Sequence, residues 1–217
     1  MKDILNFLKD IKSNNNREWF NANKKVYESA KAQFEDFTNI LILKIKEFDD
    51  SLDVNSAKEC LFRIYKDVRF SKNKEPYKPN FGAYIAKGGR KSEFAGYYIH
   101  LESGASFAGG GIYCPQPKVL RSVREDIYND ASQIKKIISG KKFKSVFPEI
   151  YGEKLKTAPK GFPKDFPDID LLNFKSYTVV KSFSDKAVLS NSFFDDILSV
   201  FKTQKPFNDY LNKILKA

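Results

Sequence analysis

Two cysteines, one histidine, one tryptophan and one methionine in 217 residues exclude several chemistries before any pattern is read. Cys60 and Cys114 are too few to frame a chain of this length with disulfides, and no C-x-x-C occurs, so a zinc ribbon or thioredoxin-type centre is ruled out. A lone histidine, His100, excludes His-rich metal sites, and no metal site is expected. No stretch approaches the roughly 20 apolar residues that a membrane span needs. The first residues read as an amphipathic helix and lack the apolar core of a signal peptide. Both cysteines sit in apolar, strand-like surroundings and read as buried thiols in a reducing cytoplasm. Gly88-Gly89 and Gly109-Gly110-Gly111 match neither a P-loop nor a dinucleotide fingerprint, so the cofactor stays unknown. The triple glycine reads as a bulge or hairpin device, with ligand cradling as the alternative.

What is present is globular: 41% hydrophobic residues and 15% aromatic, enough apolar surface to offset chain entropy. The net charge is +11, and residues 58–91 and 135–164 each hold +7 of it, the rest being nearly balanced. A localised excess points to an anionic partner, although lysine-rich composition alone could produce it. Lysine outnumbers arginine 32 to 6. In such a chain each arginine is a candidate for work that lysine does poorly, namely bidentate pairing and stacking. Arg63, Arg69 and Arg90 all lie in 58–91.

Periodicity gives an α+β domain, an antiparallel sheet with helices packed mainly on one side. One domain spans 1–217, with a helical N-terminal region (1–50), a sheet-rich middle (58–113) and a mixed C-terminal region (115–217). Ile4, Leu5, Leu8 and Ile11 follow helix spacing, and Asn16 is placed to cap the next helix. That helix starts at Glu18-Trp19-Phe20 and runs through Tyr27, Phe34, Leu41 and Ile45 to Phe48. Cys60–Arg69 alternates as a strand. Strands follow at Phe81–Ala86, Gly96–Glu102 and Ser106–Tyr113, joined by connections too short for parallel crossovers. Helices are expected over 115–129 and near Ile134–Ile138, irregular chain over 141–166, and a strand over Tyr177–Ser182. Two helices close the chain, the second opening at Pro206.

Alternation places Arg63, Tyr65, Asp67 and Arg69 on one strand face, where Asp67 could hold the guanidinium groups around an anion. A purely structural ion network is the competing reading. Lys72, Lys74, Tyr77, Lys78 and Asn80 form a basic, aromatic loop suited to phosphate or to a stacked base. Tyr98, His100 and Glu102 share a strand face. Glu102 could orient the imidazole, making His100 and Glu102 the candidates for acid–base chemistry. The expected ligand-binding set is therefore Arg63, Tyr65, Asp67, Arg69, Lys74, Tyr77, Lys78, Arg90 and Tyr98. Its expected partner is a phosphate- or carboxylate-bearing small molecule. A nucleic acid gripped by both lysine-rich segments, and a structural or interaction role, are the alternatives.

The strings Asn14-Asn15-Asn16-Arg17-Glu18-Trp19-Phe20, Phe62-Arg63-Ile64-Tyr65-Lys66-Asp67-Val68-Arg69-Phe70-Ser71 and Lys74-x-Pro76-Tyr77-Lys78-x-Asn80 resemble those of the uncharacterised bacterial and fungal family designated domain of unknown function 2461. So do Gly88-Gly89-Arg90, Gly96-Tyr97-Tyr98, Gly109-Gly110-Gly111 and Leu155-Lys156-x-x-Pro159-Lys160-Gly161-Phe162. Lys66 stands where the family usually has arginine. The resemblance covers nearly the full chain and implies a single-domain protein with no assigned reaction, cofactor or partner.

Overall fold

In a computed structural model the chain is described over residues 1–69 and 74–216. The N-terminal helices are α1 (Lys2–Ser13), α2 (Arg17–Ala22) and α3 (Lys24–Lys46). A meander of β1 (Phe81–Ile85), β2 (Gly96–Leu101) and β3 (Ser106–Ile112) follows. Then come α4 (Pro117–Asn129), α5 (Ser132–Ser139), α6 (Lys141–Val146) and α7 (Ile169–Leu172), and next β4 (Tyr177–Phe183), α8 (Asp185–Val188) and α9 (Phe193–Lys216). The sheet runs β1-β2-β3-β4, antiparallel throughout. This is the expected α+β architecture.

Each asparagine of the first motif closes one junction. Asn14 Nδ2 donates to Asp10 O at the end of α1. Asn16 Oδ1 accepts from Trp19 N and caps α2. Asn15 reaches across the fold: its Nδ2 donates to Tyr77 O at 3.0 Å and its Oδ1 accepts from Tyr77 N at 3.1 Å. One amide side chain thus imitates a β-bridge and fixes the segment entering β1.

Period-2 alternation in the strands turns Phe81, Ala83 and Ile85, Tyr97, Ile99 and Leu101, Ala108 and Ile112, and Tyr177 and Val179 to one face, and all are buried. The apolar stripes of the helices cover this face. Phe34 of α3 and Phe7 of α1 stack on Phe81, and Phe201 of α9 meets Tyr97 with ring centroids 5.1 Å apart. The helix α5 packs on both α6 and α9. The opposite face carries Gly82, Tyr84, Tyr98, His100, Phe107, Gly109, Gly111, Thr178 and Val180, in register across the four strands. Its inventory is short and partly polar, and it is not covered by helix in the same way.

Several elements differ from the sequence expectation. Residues 60–69 do not form a strand but an extended strip with single bridges, Leu61 to Ala83 and Tyr65 to Tyr77. The stretch opposite contains Pro76 and Pro79, which have no N–H to give a ladder. The long N-terminal helix is broken at Asn23, whose Nδ2 donates back to Trp19 O and closes α2. The tract 141–166 opens with a helix, α6, because Phe143 and Phe147 form an aromatic pair and Phe143 also packs on Phe207. The C-terminal pair is one helix, α9, with Pro206 inside it. Proline keeps helical φ but gives up the N–H owed to residue 202 and crowds that residue's carbonyl, a cost offset by the burial of Phe201, Phe207, Tyr210 and Leu211 on either side of it. Cys60 is buried, but Cys114 is exposed at φ 45°. It lies just past the end of β3, where the chain turns away from the sheet.

The triple glycine is not a bulge, since β3 pairs without slippage on both sides. Gly110 has φ 137°, and a Cβ there would collide with Gly96 O and crowd Gln204 Nε2 at 2.8 Å. Neighbouring backbone fills the space a side chain would need. Gly110→Ala combines a disfavoured backbone conformation, about 1–2 kcal/mol, with overpacking of about 1–3 kcal/mol. Thermal unfolding of the variant should fall by roughly 5–15 °C; an unchanged Tm would contradict this packing.

Candidate ligand cleft on the open face of the sheet

The open face floors a cleft of about 780 Å³. Its two walls come from whatever covers the sheet edges. Beside β1, the strip from Cys60 is tied by Phe62 N donating to Gly82 O and Tyr84 N donating to Cys60 O, both 2.9 Å. Beyond β4, Tyr151 N donates to Thr178 O and Thr178 Oγ1 returns a bond to Tyr151 O, each 2.7 Å. Between them lie Phe62, Lys78, Asn80, Tyr98, His100 and Phe107 on one side, and Arg90 with Lys91 beside the β1 end. Tyr113, Cys114 and Tyr151 stand on the far side.

A chain of polar contacts runs through β2. Lys12 Nζ donates to Glu102 Oε1 at 2.9 Å. Glu102 Oε2 lies 3.2 Å from His100 Nε2, and His100 Nδ1 lies 3.1 Å from Tyr98 Oη and 3.4 Å from Asn80 Nδ2. The ring of His100 stacks on Phe107 with centroids 4.6 Å apart. Burial lowers the imidazole's pKa and outweighs the opposing pull of Glu102, so the ring is neutral at pH 7. Pairing with the carboxylate puts its proton on Nε2 and leaves Nδ1 an acceptor. For Glu102, burial acts upward, but the hydrogen bonds and charges of Lys12 and His100 outweigh it and hold the carboxyl below its usual value. Burial pushes the Tyr98 phenol up to about 12, which keeps it a donor.

Nδ1 has one lone pair, and two donors, Tyr98 O–H and Asn80 N–H, point at it. At least one is therefore spare. Lys78 adds more: its ammonium lies 5.7 Å over the Phe62 ring and makes no hydrogen bond or ion pair among the described residues. Desolvation, then the nearby charge of Arg63, lowers its pKa. Arg90 Nη1 donates to Lys58 O at 2.8 Å, which anchors the guanidinium at the cleft rim. Around the Phe62–Tyr98 ring pair the cleft thus offers more donors than acceptors, with Glu93 the one carboxylate in its lining among the described residues. No group of three or more His, Cys, Asp or Glu able to hold a metal occurs among the described residues.

Of the residues expected to bind ligand, the fold brings Lys78, Arg90 and Tyr98 into the cleft together with His100. Glu102 acts on it through His100. Arg63 is exposed and does not line the cleft, but its field reaches Lys78. Arg69 holds Asp67 through two bonds, Nε to Oδ1 at 3.0 Å and Nη2 to Oδ2 at 2.7 Å, on the protein surface. Lys74 Nζ donates to Val68 O. Tyr77 is buried and stacked 4.0 Å from Phe20, with Tyr65 beside both rings. Lys72 lies outside the described residues. Asn80, expected as part of the basic loop, also lines the cleft, whereas Phe62, Tyr113 and Tyr151 were not among the expected residues. Nothing in the sequence around Tyr151 marks it.

The whole arrangement lies within a stretch, residues 3–210, that matches the model of one family of conserved hypothetical proteins, DUF2461. The chain belongs to that family. No curated protein and no solved structure matches it. The motifs that mark the resemblance therefore acquire physical roles here, the three asparagines as junctions and the triple glycine as close strand packing.

His100 gives the fold a pH signature. Its folded pKa lies below the ordinary value, near 6.5 in the unfolded chain, so the unfolded chain binds the proton first. Stability is complete above about pH 6.5 and falls as pH drops through that value toward the folded pKa. Tm measured between about pH 5 and 8 should decline on the acid side, and His100→Gln should flatten that stretch of the curve. An unaltered slope in the variant would remove His100 as its source.

Proposed function

We propose that the cleft binds a small molecule carrying a phosphate or carboxylate group, with Lys78 as its principal cation. The observation that carries this reading is Lys78 itself, partly buried, desolvated and without a counter-ion among the described residues. A cation in that state lowers stability unless something else uses it, and an anionic ligand is what its surroundings fit. Tyr98 and Asn80 supply neutral donors beside it, Arg90 a second charge at the rim. Arg63 contributes field without contact.

Less supports the nucleic-acid alternative. Lys141, Lys142 and Lys144 lie on α6, which packs with α5 against α9 in the helical layer, and the cleft opens on the other face. Of the other lysines in the second basic segment, Lys135 is paired with Asp168 at 2.8 Å and Lys154 lies over Phe174.

Lys78→Met tests the proposal, because it separates stability from binding. The variant should be as stable as the parent or more so, since a desolvated charge is removed and the methylene stem is kept. Stabilisation by phosphate- or carboxylate-bearing compounds in thermal-shift assays should weaken about 10–100-fold in apparent affinity, the usual worth of a hydrogen bond to a charged group. Loss of stability with retained ligand response would assign Lys78 to the fold instead.

A further inference from the structure

The cleft has a second end, and its chemistry is not anionic. Five aromatic side chains are exposed among the described residues: Phe62, Tyr65, Tyr113, Tyr128 and Tyr151. Phe62 rests on Tyr98, Tyr65 on Phe20 and Tyr77, and Tyr128 on Phe162 and Phe166. Tyr113 and Tyr151 alone have no ring partner among the described residues. They are also the most exposed of the five, at 76% and 58%, and both line the cleft.

Their backbones are nonetheless pinned. Cys114, directly after Tyr113, is the one non-glycine residue with positive φ among the described residues, and its N–H donates to Ser176 Oγ at 2.9 Å. Such strain persists only where the surroundings over-determine it. Tyr151 is held to Thr178 by the reciprocal pair already described. The two phenols lie near enough for the charge of one to act on the other. Rigidly mounted, unstacked rings at the mouth of a cleft offer faces for a planar group.

The geometry points to a ring-bearing phosphate, a compound of the mononucleotide class, with its ring against Tyr113 and Tyr151 and its phosphate toward Lys78 and Arg90. This rests on the anion-binding reading above and adds the ring to it. The sheet floor crosses four strands, about 14 Å at roughly 4.8 Å per spacing, and Lys78, Tyr113 and Tyr151 all line the one cleft above it. The Lys78 ammonium carries three N–H groups, and beside it stands whichever of the Asn80 amide and the Tyr98 hydroxyl His100 Nδ1 leaves spare, with Arg90 at the rim. The three oxygens of a phosphate monoester suit these donors better than the two of a carboxylate.

Isothermal titration of the full chain with the four ribonucleoside monophosphates, ribose 5-phosphate, adenosine and a ten-residue oligonucleotide tests this. At least one monophosphate should bind about ten times more tightly than ribose 5-phosphate, as stacking on an aromatic ring is worth. Tyr113→Ala and Tyr151→Ala should each erase most of that advantage while leaving Tm and the ribose 5-phosphate affinity unchanged. Equal affinity for ribose 5-phosphate and every nucleotide would overturn the ring site and leave the anion reading standing. Adenosine matching its monophosphate, with Lys78→Met silent, would keep the ring site and defeat its phosphate partner, and with it the anion reading. Binding of the oligonucleotide alone, or of nothing, would overturn the inference.

Discussion

A four-stranded antiparallel sheet has two faces, and the apolar stripes of α1, α3 and α9 cover one of them. Everything else follows from that asymmetry. The covered face takes the large apolar side chains and fuses with the helical layer into one core. The other face is left mostly with glycine, tyrosine, histidine and threonine, with Phe107 and Val180 its only aliphatic or phenyl side chains among the described residues. Because the sheet is open, its edges also need partners. The strip from Cys60 and the segment at Tyr151 supply them, and in doing so rise as walls on either side of the uncovered face. The cleft is the space between two edge protectors.

The same economy places the functional side chains. The Asn15 bonds to Tyr77 and the Phe20–Tyr77 stack fix the residue immediately before Lys78. An ammonium without a carboxylate partner among the described residues is thus mounted on a rigidly held main chain. Tyr84 performs a related task in the floor. Its hydroxyl lies 2.7 Å from both Phe94 O and Gly111 O, reaching across β2 at Gly96, where no side chain stands in the way. The floor is smooth because of its glycines and stiff because of this tyrosine.

Period and capping residues made the layers legible: alternation gave the meander, three-and-four spacing gave α1, α3 and α9, and Asn16 gave the start of α2. Single-residue breaks were hidden, since Asn23 ends a helix by a side-chain bond that no apolar pattern announces, and Pro206 passes through a helix that packing holds together. Residues 60–69 alternate like a strand and yet lack a ladder, because pairing depends on the partner's prolines as much as on the segment's own pattern. The site was legible where a strand carried it, at Tyr98, His100 and Glu102. It was not legible where distant segments converge: Tyr151 reaches the cleft only through Thr178, and Arg63 and Phe62 exchange the places that alternation would favour.

The strand order also has a temporal side. The strands β1, β2 and β3 are neighbours in sequence and zip as hairpins, whereas β4 is separated from β3 by the 64 residues 113–176. A ribosome adding about 5–20 residues per second needs roughly 3–13 s to cross that interval. During it the seven-residue, glycine-rich β3 is a bare edge with its N–H and C=O groups unclaimed. Nascent chains of this protein therefore pass through a window in which that edge of β3 can pair with a second copy or be held by a chaperone before β4 arrives.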